Sequence, residues 1–120
     1  MRALKPPVRW LKSRWSEEDI SFFYEADEDG WALRQVELHD GEHVPMCAAA
    51  LAELPDAMTD GLEAVQKYES KYGVLAEVPL PMGSADFPYQ EISRAEFDDV
   101  WSRARTHLEL HGRPEEDVSE

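Results

Sequence analysis

The sequence predicts a small α+β domain: an antiparallel meander of four or five strands with two helices packed mainly on one face. Three observations carry this. Residues 20–49 form three apolar-rich runs, ISFFYEA, WALRQVEL and HVPMCAA, separated by Asp29-Gly30 and Asp40-Gly41. Asp-Gly between β-prone runs marks a hairpin, because a tight primed turn needs positive φ and glycine supplies it without steric cost. Beyond Ala48 the apolar period lengthens from two to that of a helix. Near the end of the chain, Ser93-Arg94-Ala95-Glu96 has the form of a capping box, with a Ser hydroxyl and a Glu carboxylate each satisfying a free backbone amide.

Pro6-Pro7 blocks regular structure until Val8. VRWLKSRW (8–15) then alternates Val8, Trp10 and Lys12 against Arg9, Leu11 and Ser13, as a first strand would. SEED (16–19) is a polar turn. ISFFYEA places Ile20, Phe22, Tyr24 and Ala26 on one face and Ser21, Phe23 and Glu25 on the other. In WALRQVEL, Trp31 and Leu33 alternate against Ala32, Arg34, Val36 and Leu38, so both faces are expected to be partly covered.

Met58, Leu62, Val65 and Tyr72 fall at helical spacing and predict a helix over 57–72, with Thr59 or Asp60 as its cap and Gly73 just past its end. VLAEVPLP (74–81) reads as a short extended run that Pro79 and Pro81 confine to an edge strand or a surface crossing. MGSADFPYQE (82–91) is read as a loop. The capping box starts a helix whose stripe is Phe97, Val100, Trp101, Ala104 and Leu108, running to about His107–Gly112. Residues 1–112 are thus one domain, and 113–120 an acidic, flexible tail.

At 120 residues the chain can bury one ordinary core. Cys47 is its one cysteine, which excludes an internal disulfide framework and fits a reducing cytoplasm. No apolar run approaches the roughly 20 residues that cross a bilayer, and the N-terminus lacks a signal-peptide pattern. The formal net charge is −14, from 26 acids against 12 bases. It is uneven: Arg2, Lys5, Arg9, Lys12 and Arg14 all precede the first acid, Glu17. Such a chain repels nucleic acid and anionic membranes and steers basic proteins toward itself.

No motif for chemistry has the spacing its chemistry requires. Glu25, Asp27, Asp29 and Gly30 resemble the start of a calcium loop, but the twelfth position is Val36 where a bidentate Glu is required. His39/His43 and His107/His111 are each four apart, the spacing of a helical zinc pair. The first pair straddles a turn, and neither has a third ligand at a recognisable spacing. Cys47 lies in PMCAAA, a strand end with a buried thiol rather than a catalytic loop. Adjacent acids such as Asp98-Asp99 do not face one another on a helix. No phosphate loop, nucleophile elbow or metalloprotease motif occurs. No metal, cofactor or catalytic residue is expected.

Several of these residues also carry a resemblance. Trp31-x-x-Arg34-x-Val36-Glu37, then Asp40-Gly41, then Glu91-Ile92-Ser93-x-x-Glu96-Phe97-x-x-x-Trp101 is similar to a family of small bacterial domains of unknown function. Its members open with a V-x-W strand, as Val8-Arg9-Trp10 does here. The likeness covers roughly residues 8–49 and 90–105, and 50–72 stands as an insertion relative to shorter members. It implies an α+β fold with a small antiparallel sheet and brings no catalytic residues with it. By analogy of size and charge alone, such domains are similar to immunity proteins that neutralise bacterial toxins.

The expected function is therefore a cytoplasmic, non-enzymatic acidic domain that binds a basic protein, in its sharpest form an immunity-type inhibitor of a basic bacterial toxin such as a nuclease. Glu25, Asp27, Glu28, Asp29 and Asp40 would steer association, and Trp15, Tyr24, Tyr89 and Phe87 would supply aromatic anchors. Two other classes remain open. One is a small accessory enzyme or ligand-binding domain with a pocket between the sheet and the 57–72 helix, marked by His39 or His43 beside a carboxylate. The other is a dimerisation module exposing an edge strand. Oligomeric state is not written in the sequence.

Overall fold

A computed structural model of the chain describes residues 8–76, 80 and 89–113. The expected tail beyond Arg113, Phe87, and most of the 74–91 connection lie outside the described residues. Within them the fold is α+β, with five antiparallel strands in the order β4-β3-β2-β1-β5 and two helices. The strands are β1 (Arg9–Trp15), β2 (Ile20–Ala26), β3 (Ala32–His39), β4 (Val44–Ala50) and β5 (Gln90–Glu91), and the helices are α1 (Leu62–Tyr72) and α2 (Arg94–His111). Among the described residues, no helix is long and apolar enough to cross a membrane.

The first four strands follow the expected runs, but the turns between them are looser than two-residue hairpins. Asp27–Trp31 joins β2 to β3, and Asp40–His43 joins β3 to β4. Each hairpin also contains a register shift. Glu25 pairs with Arg34 while Ala26 pairs with Ala32, so Leu33 is the extra residue of a bulge. That bulge breaks the alternation expected in β3. Ala32 packs with Cys47, Ala49 and Leu75, whereas Val36 and Leu38 pack on the other face with Phe97, Val100 and Leu108.

Helix α2 lies across the second of these faces. Its N-terminus carries the serine half of the expected capping box, Ser93 Oγ accepting from the Glu96 amide at 3.0 Å, without a return bond from the Glu96 carboxylate among the described residues, and it ends at Gly112 with φ +75°. Phe97, Val100, Ala104 and Leu108 are buried against Phe23, Val36 and Ala48. Burying each large apolar side chain stabilises the domain by about 1.5–3 kcal/mol. The opposite face is covered in part by residues 74–76, where buried Gln35 accepts from the Ala76 amide at 2.8 Å and donates to the Val74 carbonyl at 3.5 Å.

Helix α1 is shorter than predicted and starts at Leu62 with Gly61 before it; neither Thr59 nor Asp60 caps it. Met58 lies outside the helix and is 93% exposed, so the real inward stripe is Ala64, Val65, Tyr68 and Tyr72. Their helix flanks the outer edge of β4. There Tyr68 accepts from the Ala50 amide at 2.9 Å, Arg105 donates to the Ala48 carbonyl at 2.8 Å, and Arg113 donates to the Met46 carbonyl at 2.8 Å. An edge strand left with open donors and acceptors invites pairing with another chain, and these three side chains close β4 against it. The other edge is made by β5, a two-residue strand in what the sequence reads as loop, paired as Leu11↔Glu91 and Lys12↔Gln90.

Candidate functional site

Of the nine residues singled out in the sequence, the eight among the described residues do not meet at one surface. In a meander, successive turns emerge at opposite ends of the sheet. Asp27, Glu28 and Asp29 sit at one end and Asp40 at the other, separated by the eight residues of β3, about 25 Å at a strand's ~3.3 Å rise. Trp15 ends β1 at the Asp40 end. Tyr24 and Tyr89 meet on the sheet face away from α2, their rings 6.2 Å apart and nearly perpendicular. Burial pushes the Tyr24 hydroxyl's pKa up, and its ring also stacks on Phe22 at 6.2 Å. These tyrosines are packing partners of one another.

Glu25 is turned inward, onto the α2 face. It accepts a two-pronged pair of hydrogen bonds from Arg34, at 2.8 and 2.9 Å, and a third from Trp10 Nε1 at 2.9 Å. Arg34 continues to Asp98 at 2.9 Å and lies over the rings of Phe97 and Trp101, 4.8 and 5.0 Å from their centroids. Hydrogen bonding by Arg34, and then by Trp10, holds the Glu25 carboxyl below the usual range despite partial burial. Its charge is paired within the fold, one residue before Ala26 and the turn.

The tip itself, Asp27–Trp31, is a built turn. Asp27 Oδ1 accepts from the amides of Asp29 and Trp31, both at 2.9 Å. The Asp27 amide donates to the Trp31 carbonyl at 3.0 Å, and the Gly30 amide to the Asp27 carbonyl at 2.9 Å, with Gly30 at φ +91°. One acid therefore holds the loop, and the next two, Glu28 and Asp29, are exposed with no basic partner among the described residues. Beside them Trp31 is 42% exposed. Sequence reading passed over Trp31 because strict alternation grouped it with Leu33 as a strand residue. Its position directly after an Asp-Gly turn was the signal that it stands at a strand end.

The other end is compensated in part: Asp19 and Glu42 are paired, while Glu17, Glu18 and Asp40 are exposed with no basic partner among the described residues. Arg14 reaches Asp19, Lys12 reaches Glu42 at 3.3 Å, and Ser21 donates to Glu42 at 2.9 Å. Burial is the largest influence on Glu42 and pushes upward, but Ser21 and Lys12 together leave its pKa below the usual value. Asp19, Asp40 and Glu42 all have positive φ, at +58°, +56° and +71°. Trp15, 48% exposed, stands beside this paired cluster.

Histidines from both sequence pairs converge here. His43 and His107 line a notch of about 170 Å³ between the β3–β4 turn and α2, together with Glu42, Arg103, Leu38 and Val100. His39 lies 2.6 Å from the Glu37 carboxylate. Among the described residues, no group of three or more His, Cys, Asp or Glu is arranged to hold a metal ion. Cys47 is buried, and that burial pushes its thiol up to about 12, far from a reactive thiolate.

No protein-family model matches the chain, and no curated protein or solved structure matches it. The likeness to small bacterial domains thus rests on the quoted residues alone.

Proposed function

We propose that this chain is a non-enzymatic acidic domain that binds a basic protein, in its sharpest form an immunity-type inhibitor of a basic bacterial toxin. The observation that carries the reading is the Asp27–Trp31 tip, where a turn locked by Asp27 presents two carboxylates with no basic partner among the described residues, beside an exposed indole. The rest of the charge pattern supports it. Seven of the bases, Arg9, Lys12, Arg14, Arg34, Arg94, Arg103 and Arg105, are engaged by the chain's own acids, so the residual field is anionic. Carboxylates at a rim accelerate encounter with a cationic surface, and a tryptophan desolvated at the centre holds the complex. A nuclease active site, already cationic, has the chemistry such a tip would occlude.

The test is capture from secreted proteins of the producing organism and its neighbours at low salt, followed by a high-salt wash. A basic partner that survives the wash on wild type, is lost about 30-fold with Trp31→Ala, and associates several-fold more slowly with Glu28→Gln/Asp29→Asn supports the proposal. No basic partner, or one indifferent to both variants, sinks it.

A second reading has one observation in its favour: the notch that sets His43 and His107 beside Glu42. At about 170 Å³ it is smaller than the ~300–1,000 Å³ usual for ligand pockets, so it would take only a few-atom ligand. It lies against α2, not against the 57–72 segment. Titrating small carboxylates and phosphates while following the His43 and His107 ring signals tests it, and saturable shifts below millimolar concentration would promote it.

A further inference from the structure

The connection from β4 to α1 arrives at the same end of the sheet as the Asp27–Trp31 tip. Ala50 pairs with Arg34 near the start of β3, so the chain leaves the sheet beside the strand that Trp31 opens. A 3-10 turn at Leu51–Glu53 follows, packed against β3. Three large apolar side chains on this connection are turned to solvent: Leu51 is 48% exposed, Met58 93% and Leu62 62%.

Met58 is not on a loose loop. The Asp56 carboxylate accepts from the Met58 amide at 2.8 Å and from the Thr59 hydroxyl at 3.4 Å. The Asp60 carboxylate in turn accepts from the Asp56 amide at 2.9 Å, and the Asp56 carbonyl accepts from the amides of Thr59 and Asp60. The chain thus spends five hydrogen bonds on a turn whose tip is a thioether in water. Asp56 and Asp60 belong to the same turn and Glu63 follows in the first turn of α1, all exposed. Methionine suits an anchor that must enter a pocket of irregular shape, because it is unbranched and polarizable.

Resting on the reading of a basic partner, we infer that the Leu51–Leu62 connection is a second contact element, with Met58 as its anchor. Its occupant is a basic protein that offers an apolar pocket rimmed by Lys or Arg. Charge complementarity selects that occupant over a second copy of this chain, which would bring the same acidic rim and a further −14 of charge. The tip and the loop then form a two-point grip from one end of the sheet, with Trp31 and Met58 as apolar points and carboxylates on the turn of each.

The experiment uses the full chain with ¹³C-methyl methionine and ¹⁵N labels. The probe is an amphipathic Leu/Lys helical peptide, a basic surface with an apolar stripe, with a Leu/Gln peptide of the same length as the neutral control. Saturable shifts of the Met58 methyl with the basic peptide, at least tenfold weaker for the neutral one, are expected. Met58→Gln, a substitution at an exposed site, should weaken binding about tenfold with an unchanged thermal midpoint. No shift at Met58, or equal shifts with both peptides, overturns the inference. The Trp31 indole signal separates the two readings: if it moves while Met58 does not, the tip proposal stands and the second contact falls. If neither moves, both fall.

Discussion

The two ends of the sheet are made of the same parts and do different things. Each carries an exposed tryptophan, an acidic turn and a glycine at positive φ: Trp31 with Asp27–Gly30 at one end, Trp15 with Asp19 and Asp40–Glu42 at the other. At the Trp15 end two acids are held by bases, and Glu17, Glu18 and Asp40 have no basic partner among the described residues. Asp19 takes Arg14, Glu42 takes Lys12 and the Ser21 hydroxyl, and the Asp40 amide donates to the Asp19 carbonyl at 3.1 Å. Three non-glycine residues there hold left-handed conformations, which polar local contacts help to maintain. At the Trp31 end one acid organises the turn, and Glu28 and Asp29 have no basic partner among the described residues. The strand bases beside that end are engaged elsewhere: Arg9, opposite Ala26, reaches Glu91, and Arg34 is occupied by Glu25 and Asp98. What separates the two ends is how each turn is held: by the Asp27 carboxylate on two amides at one, and by surface ion pairs at the other.

The largest expected effect comes from breaking the ion pair of Glu25. Arg34→Met leaves the Glu25 carboxylate, 16% exposed, without its cation. We expect a loss of about 3 kcal/mol, read from the urea midpoint. The matching change at the other end, Arg14→Met, breaks a pair whose side chains are both 45% exposed and should barely move the midpoint. Equal losses would erase the distinction between a pair held within the fold and a surface pair.

Asp27→Ala removes the acceptor of two turn amides. A loss of about 1 kcal/mol is expected, with faster hydrogen exchange at Asp29 and Trp31. Glu28→Gln, by contrast, should leave stability within about 0.5 kcal/mol of wild type. A stability loss from Glu28→Gln as large as that from Asp27→Ala would mean that the tip is held by its charge and not by its turn.

Acid sharpens the comparison further. Glu25 and Glu42 both have folded pKa values below the ordinary carboxylate value, so each protonates more readily in the unfolded chain. Their contribution is fully present above about pH 4.5 and lost as pH falls through the lower folded values. In Arg34→Met the Glu25 share disappears, and the fall in stability on acidification should become shallower. An unchanged acid profile would show that the Arg34 pair does not set it.

Much of the scaffold was legible because its causes are local. Asp-Gly turns and a period of two marked β2, β3 and β4; the Ser93 cap and the Phe97–Leu108 stripe marked α2. β5 was not legible, since two residues carry no period and Gln90–Glu91 is a strand only because the edge of β1 is there to receive it. The length of α1 was overread because Met58 sits at helical spacing from Leu62 while belonging to the turn that Asp56 closes. In the candidate site, the acids of the Asp27–Asp29 turn were visible, and so, in principle, was their separation from Asp40, which any meander imposes. The exposure of Trp31 was hidden by the bulge at Leu33, which breaks the face assignment of β3.

By itself the sequence determined the turns, the strand and helix periods, the helix cap and the sign of the net charge, all of which act between residues a few positions apart or add over the whole chain. Only the tertiary structure decided which charges survive. Arg34 finds Glu25 across a strand pair and Asp98 on a distant helix, while Glu28 and Asp29, one turn away, find no base among the described residues. Pairing depends on distance in space, and register and packing set that distance.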